Sequence, residues 1–269
     1  MSQFSFIQIT DHHLPERETD LVKAFSPAHS FRLVLRHIAQ NTAARADFIL
    51  SSGDLVDPAT EQSYTNLCRM LELQPGSMPP GPCKVTIEGL RDYPVYFMPG
   101  NHDERYLFLQ HLFRQAQPAP LVNTSFQHQG VRFICLDMGA GAKAVLYPET
   151  LDFLSQALLT PQPTIVLTHH HVTPIGARWL DAFIADDIHR FWEQLTKPSV
   201  RPRILGVISA HTHITYEEIV GGIPVYGLRS TAAPFALQDE PLLTLQPPHY
   251  RLFTVQDGLL TTRIFEVNV

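Results

Sequence analysis

The sequence predicts an α/β fold with largely parallel central strands. Three observations carry that expectation: short β-branched or aromatic runs recur, helix-like segments separate several of them, and polar residues close each run. The strand-like runs are residues 4–9, 48–50, 95–98, 131–136, 164–167 and 204–208. Helix-like segments fall at 30–40, 60–73, 105–115, 148–159 and 182–195. From about Tyr216 the pattern changes to strand-like pieces joined by turns, at 217–220, 225–228, 250–255 and 260–267. Gly221-Gly222 and Asp257-Gly258 stand between them, and the second pair is a hairpin signal. These pieces read as an antiparallel section that closes the same domain.

The chain has 269 residues, enough for one large core or two small ones. Residues 74–90, rich in Pro and Gly, read as a surface loop, and the Pro-rich stretch 241–248 as another. The chemical motifs continue across the first loop, so residues 1–269 are expected to form a single domain. Apolar residues make up 44 % and charged residues 17 %, a globular composition. A net charge of −6 and scattered Lys and Arg argue against binding a nucleic-acid polymer. There is no apolar run long enough to span a membrane, and the N-terminus lacks the basic region of a signal peptide. Cys68, Cys83 and Cys135 have no C-x-x-C spacing and fit a reducing cytoplasm. The 14 histidines are the unusual feature, and they direct attention to metal.

Each predicted strand ends on a characteristic cluster. The run 4–9 leads to Thr10-Asp11-His12-His13, and the run 48–50 to Ser51-Ser52-Gly53-Asp54. The run 95–98 leads to Pro99-Gly100-Asn101-His102-Asp103, and 164–167 to Thr168-His169-His170-His171. The run 204–208 leads to Ser209-Ala210-His211-Thr212-His213. Ligands of open α/β sheets bind at the carboxyl ends of strands, so these ends predict one convergent site. Any one histidine or Gly-Asp pair has an ordinary reading as a packed side chain or a turn. That reading would have to hold at every strand end at once. Carboxylate, amide and imidazole donors without cysteine suit Mn, Fe or Zn. Asp11, His13, Asp54, Asn101, His169, His211 and His213 outnumber what one ion uses, so two ions sharing a carboxylate are the economical solution. Two ions about 3.5–4 Å apart can hold a hydroxide nucleophile and polarise a phosphoryl oxygen, the chemistry of phosphate-ester hydrolysis.

The ordered set Asp11-His12-His13, Gly53-Asp54, Gly100-Asn101-His102-Asp103, His169 and Ala210-His211-Thr212-His213 resembles the calcineurin-like metallophosphoesterase superfamily. Within it the chain looks most like the class III cyclic nucleotide phosphodiesterases and their glycerophosphodiesterase relatives. The resemblance extends through Tyr93-Pro94-Val95-Tyr96, Gly176, Trp179-Leu180-Asp181, Ser230-Thr231 and Tyr250-Arg251. It implies a four-layer α/β/β/α sandwich of two mixed sheets with the site at one edge. It also implies that Asp11, His13, Asp54 and His213 hold one metal and that Asp54, Asn101, His169 and His211 hold the other. Asp54 then bridges two divalent or mixed-valence ions of Fe, Mn or Zn. His102 would contact the phosphate and protonate the leaving oxygen. The activity implied is attack by a metal-bound hydroxide on a small-molecule phosphodiester such as a 3′,5′-cyclic nucleotide. Phosphomonoesterase or glycerophosphodiesterase activity is the alternative, and a non-catalytic metal-binding scaffold is the alternative of another class. Asp57-Pro58-Ala59 departs from the Ser/Thr protein phosphatase pattern, which carries an Arg there.

Other positions depart from the resemblance and bear on the substrate. Ala210 stands for a Gly, His12 for a Thr, His171 for a Pro and Arg229 for a Pro. Ala28-His29-Ser30 and Asp186-Asp187 also differ. His12, His29, His170 and His171 are open between lining a pocket and packing, and Trp179 between stacking on a base and packing a loop. Arg105 is open between meeting a phosphate and pairing with Asp103 or Glu104. His37 and His111, on helix-like segments, read as structural.

Overall fold

The computed structural model describes residues 3–79 and 81–267. Outside the described residues lie Pro80, one position of the predicted 74–90 loop, and residues 1–2 and 268–269 at the two ends. The first half runs β1 (Phe4–Ile9), α1 (Pro27–Asn41), β2 (Phe48–Ser51), α2 (Glu61–Met70), β3 (Cys83–Ile87), β4 (Leu90–Phe97) and α3 (Arg105–Phe113). Next come β5 (Thr124–His128), β6 (Val131–Leu136), α4 (Pro148–Ala157), β7 (Thr164–Thr168), α5 (Arg178–Asp181) and α6 (His189–Leu195). The chain closes with β8 (Ile204–Ser209), β9 (Tyr216–Val220), β10 (Ile223–Gly227), β11 (His249–Gln256) and β12 (Leu259–Glu266).

These strands form two mixed six-stranded sheets, ordered β12-β11-β1-β2-β4-β3 and β5-β6-β7-β8-β10-β9. In the first, β1, β2 and β4 are parallel neighbours, with Phe6 opposite Phe48 and Ser51 opposite Phe97. In the second, β6, β7, β8 and β10 are parallel. The sheets face each other across an aromatic core. Phe6 stacks on Phe48 and Phe253 at 5.3 and 5.0 Å and meets Phe133 edge-on at 5.2 Å. Helices α1 to α3 cover the outer face of the first sheet, and α4 to α6 that of the second. The result is the expected four-layer α/β/β/α sandwich. The strands 4–9 and 131–136 sit where the β-branched and aromatic pattern puts them. No helix among the described residues is long and apolar enough to cross a membrane.

Several local expectations need correction. The 74–90 stretch is not all loop, because β3 occupies Cys83–Ile87 at the sheet edge, antiparallel to β4. Its reading as loop rested on Pro and Gly, but Cys83, Val85 and Ile87 alternate inward and are buried, a period of two that outweighs composition. Strand β4 starts at Leu90, earlier than 95, since the Glu88-Gly89 turn (φ +44° and +91°) returns the chain directly along β3. Strand β5 was not anticipated; it is a half-buried strand that acquires its order by pairing with β6. The segment 182–195 is not one helix: only α6 is regular, and α5 lies before it. Both two-residue turns of the closing section have positive φ throughout, +57° and +78° at Gly221-Gly222 and +52° and +79° at Asp257-Gly258. That matches the right-handed strand twist of hairpins.

Candidate metal centre

The carboxyl ends of β1, β2 and β4 in one sheet, and of β7 and β8 in the other, open on a common edge of the sandwich. The loops that continue them are laced together. Asp11 N–H donates to the Gly53 carbonyl and His13 N–H to that of Asp54, both at 3.0 Å. Ala210 N–H donates to the His169 carbonyl at 2.9 Å. The backbone bends sharply here: Asp11, His13, Asp54, His211 and His213 have φ of +53°, +46°, +51°, +64° and +53°. Left-handed backbone costs a non-glycine residue roughly 1–2 kcal/mol and persists where surrounding structure compensates. The glycines of the motifs are steric necessities. A Cβ on Gly53, at φ +105°, would run into His169 and the Gly100 backbone, and one on Gly100 into Asp54. Ala210 is fully buried and does not take positive φ, so its methyl group is accommodated where a glycine was expected.

Two overlapping groups of donor atoms result. Those of Asp11, His13, Asp54 and His213 all lie within 4.8 Å of one another, as do those of Asp54, His169 and His211. His213 Nε2 is 3.3 Å from Asp11 Oδ1, and His13 Nε2 is 3.6 Å from Asp54 Oδ2. His169 Nε2 is 3.3 Å from Asp54 Oδ1. Asn101 Oδ1 joins the second group, 3.1 Å from His169 Nε2 and 2.8 Å from His211 Nδ1. All seven residues predicted as ligands are therefore in one place, and Asp54 belongs to both groups.

The electrostatics explain what such a place is for. Both Asp11 carboxylate oxygens and His211 Nε2 are buried without a hydrogen bond. A buried carboxylate with only imidazoles beside it is strongly unfavourable unless those rings carry protons or a metal ion meets it. Burial works to raise Asp11, but His213 and His169 outweigh it and hold the carboxyl below its usual range. The same opposition, with His169 and His13, holds Asp54 well below that range. Burial would lower His169, yet Asp54 and Asp11 pull it up to about 9. Two carboxylates so buried draw a positive charge to the site, a proton or a metal ion, and the all-oxygen and nitrogen donor set fits a divalent metal.

His102 stands at the pocket wall with its side chain 41 % exposed. Its backbone N–H donates to Asp54 Oδ1 at 2.8 Å. Asp57 Oδ2 lies 3.4 Å from His102 Nδ1 and 3.6 Å from His13 Nδ1. The Asp57 contact is the leading reason that the His102 pKa is raised, and His102 in turn is the leading reason that Asp57 is depressed. A carboxylate against one ring nitrogen fixes the tautomer and supports the charged imidazolium. Asp57 was not among the expected site residues. Its signal was its spacing, one turn of loop past Asp54, but its partner lies 45 residues on.

The undecided side chains now have places. His12 is buried between Thr231 Oγ1 (2.9 Å) and Ser51 Oγ (2.8 Å), and burial lowers it to about 3, so it packs. His29 is exposed on α1. His170 contacts the Gly141 carbonyl at 2.9 Å and packs on the His211 ring, while His171 is fully buried behind it. His37 and His111 are structural, bonded to Tyr250 and Glu61. Trp179 Nε1 donates to the Gln238 carbonyl, and its ring packs on Phe235 while lining the pocket. The Arg105 guanidinium makes no hydrogen bond to the carboxylate of Asp103 or Glu104. It forms a buried two-bond pair with Asp137 from the end of β6 and also caps the Gly100, Asp103 and Gly139 carbonyls. Val22 and Lys23, from a segment that carried no sequence signal, and Phe183, from the 182–195 segment expected to be helical, also line the pocket.

A sandwich with such a site defines a metallophosphoesterase, and comparison with known proteins agrees. The calcineurin-like phosphoesterase family model matches residues 4–215, so the chain belongs to that family and is a metal-dependent phosphoric ester hydrolase. A 3′,5′-cyclic-nucleotide phosphodiesterase of Nostoc sp. is 26 % identical over 98 % of this chain and 92 % of its own length. The 3′,5′-cyclic adenosine monophosphate phosphodiesterase CpdA of Haemophilus influenzae is 25 % identical over 96 % of this chain and 88 % of its own. The expected resemblance to cyclic nucleotide phosphodiesterases therefore holds along nearly the whole chain. Among solved structures, GAP50, the anchor in the inner membrane complex of Plasmodium, is similar with a TM-score of 0.65 and 12 % identity. That match covers 99 % of this chain and 85 % of GAP50. At that identity the likeness concerns the fold.

Proposed function

We propose that this chain is a binuclear phosphodiesterase acting on a small phosphodiester of the 3′,5′-cyclic nucleotide kind. The observation that carries the reading is the pair of donor groups sharing Asp54, with both Asp11 oxygens buried and unbonded. Asp11, His13, Asp54 and His213 would hold one ion, and Asp54, Asn101, His169 and His211 the other. Fe, Mn and Zn all suit these donors. When bound, two such ions supply an activated water and neutralise charge on the phosphoryl oxygens. The protein's own part is distinct. Asp57 holds the His102 ring through Nδ1, and no described residue occupies its Nε2. That nitrogen gives its proton to the leaving oxygen, which would otherwise depart as an alkoxide. Trp179, Phe183 and Phe235 form an apolar wall in the same cavity as Asp54, Asn101, His211 and His213, suited to the flat organic part of a nucleotide. The relatives named as cyclic nucleotide phosphodiesterases support the same substrate class. Because both sheets contribute ligands to one site, we take residues 1–269 as one domain.

The test is a substrate panel of cyclic nucleotides, glycerophosphodiesters and phosphomonoesters, with the protein reconstituted in turn with Mn, Fe and Zn. A cyclic nucleotide should give the highest kcat/KM, and Asp54→Ala should abolish hydrolysis without unfolding the chain. Activity in that variant, or activity undiminished by a strong chelator, would sink the two-metal reading. A higher kcat/KM on monoesters or glycerophosphodiesters would move the substrate class. No turnover with any metal would favour a non-catalytic scaffold, against which the complete ligand set and His102 now stand.

A further inference from the structure

Between β1 and α1 the chain folds a tight turn over the pocket mouth. Val22 and Phe25 exchange both backbone hydrogen bonds, at 3.0 and 2.9 Å. Lys23 and Ala24 at its tip have φ of +50° and +70°. A two-residue turn of this hand ordinarily uses glycine or asparagine, because a larger side chain is strained at positive φ. Strain that persists at a cavity edge points to a use for the side chain it presents.

Lys23 Nζ lies 5.0 Å from the centroid of the Phe235 ring. Phe235 packs on the His213 ring, 5.3 Å between centroids, so a single aromatic ring separates the ammonium from a metal-ligand candidate. Lys23 lines the same cavity as Asp54, Asn101 and His102. Among the described residues of that lining it carries the one permanent positive charge. It makes no ion pair with a described carboxylate. The cavity's own acids are engaged elsewhere, Asp54 by His13 and His169 and Asp57 by His102. An ammonium held against an aromatic face, beside a cavity and without an acid, is placed to meet an anion that arrives from solvent.

We propose that Lys23 is a specificity-determining residue that contacts an anionic phosphate oxygen of the bound phosphoester. This rests on the phosphoesterase reading of the site. Lys23 sets the affinity for the charged ester, and the bond-breaking step proceeds without it.

The test compares Lys23→Gln and Lys23→Arg with wild type, all loaded with Mn and checked for unchanged unfolding midpoints. Loss of one charge-assisted contact should raise KM about tenfold in Lys23→Gln and leave kcat within about twofold. Lys23→Arg should recover most of the loss. The kcat/KM of wild type should fall with added salt more steeply than that of Lys23→Gln. In calorimetry, the dissociation constant of inorganic phosphate should rise in Lys23→Gln by a similar factor. An unchanged phosphate affinity in Lys23→Gln, an Arg variant as impaired as the Gln variant, or an unaltered salt slope overturns the proposal. A wild type that hydrolyses no phosphoester but loses phosphate affinity on Lys23→Gln would sink the hydrolase reading and leave the Lys23 contact standing.

Discussion

Arg105 offers the sharpest check on how the site is held. Its side chain is 7 % exposed and that of its partner Asp137 is 1 % exposed, so the pair is not screened by solvent. It gives Asp137 two hydrogen bonds, at 3.0 and 2.6 Å, and caps the carbonyls of Gly100, Asp103 and Gly139. Removing one partner of a buried pair typically costs about 3–5 kcal/mol, because the other charge is left uncompensated. Asp137 keeps two backbone donors, Val122 N–H and Gly139 N–H, each at 2.9 Å, which places the cost of Arg105→Met at the lower end, about 3 kcal/mol. Adding Asp137→Asn removes the orphaned charge and should return about 1 kcal/mol. Urea unfolding of wild type, both single variants and the double variant measures these differences. The Gly100 carbonyl also loses its anchor, so Arg105→Met should weaken Mn binding through Asn101. A cost below about 1 kcal/mol, or strictly additive single and double variants, would refute the view that this pair is a compensated buried charge.

Four further outcomes follow from the site. His102→Ala should slow hydrolysis of esters with poor leaving groups far more than that of aryl esters, whose leaving oxygen needs no proton. Equal losses on both would assign His102 to phosphate binding instead. Asp57 raises the His102 pKa, so Asp57→Asn should move the alkaline limb of the pH–rate profile to lower pH, since the acid form is then lost earlier; an unmoved limb contradicts the pairing. In the metal-free protein the carboxylates lift His169 to about 9, so below that pH a proton competes with metal. Mn affinity should therefore rise from pH 6 to pH 8 with proton release, measured by calorimetry in buffers of different ionisation enthalpy, and the absence of release at pH 7 would count against it. A Cβ at position 100 would meet the Asp54 side chain and backbone, so Gly100→Ala should lose both stability and Mn binding; a variant that binds Mn normally would show the motif glycine to be dispensable.

Much of the sandwich can be read along the chain because a strand's signature is local. The β-branched and aromatic run 4–9 and the polar cluster after it need only neighbours in sequence, and the candidate-ligand ladder from Asp11 to His213 shares that property. Strand β5 and α5 have no comparable signature, since a half-buried strand and a one-turn helix acquire their order from what they pack on. Strand β3 did alternate, but the prolines and glycines ahead of it obscured a pattern only five residues long.

The side-chain assignments divide along the same line. Spacing placed His37 and His111 on helices as structural residues, and the structure pairs them with Tyr250 and Glu61. It left Arg105 undecided because its acid, Asp137, belongs to the other sheet, 32 residues away. The residues and order of the candidate metal-ligand ladder were thus legible in the sequence alone. The left-handed backbone that aims those residues, the Asp57–His102 pairing, the Arg105 brace and the seat of Lys23 on Phe235 were decided by tertiary structure. They depend on groups brought together from distant segments, and no local pattern records which two loops will share an edge.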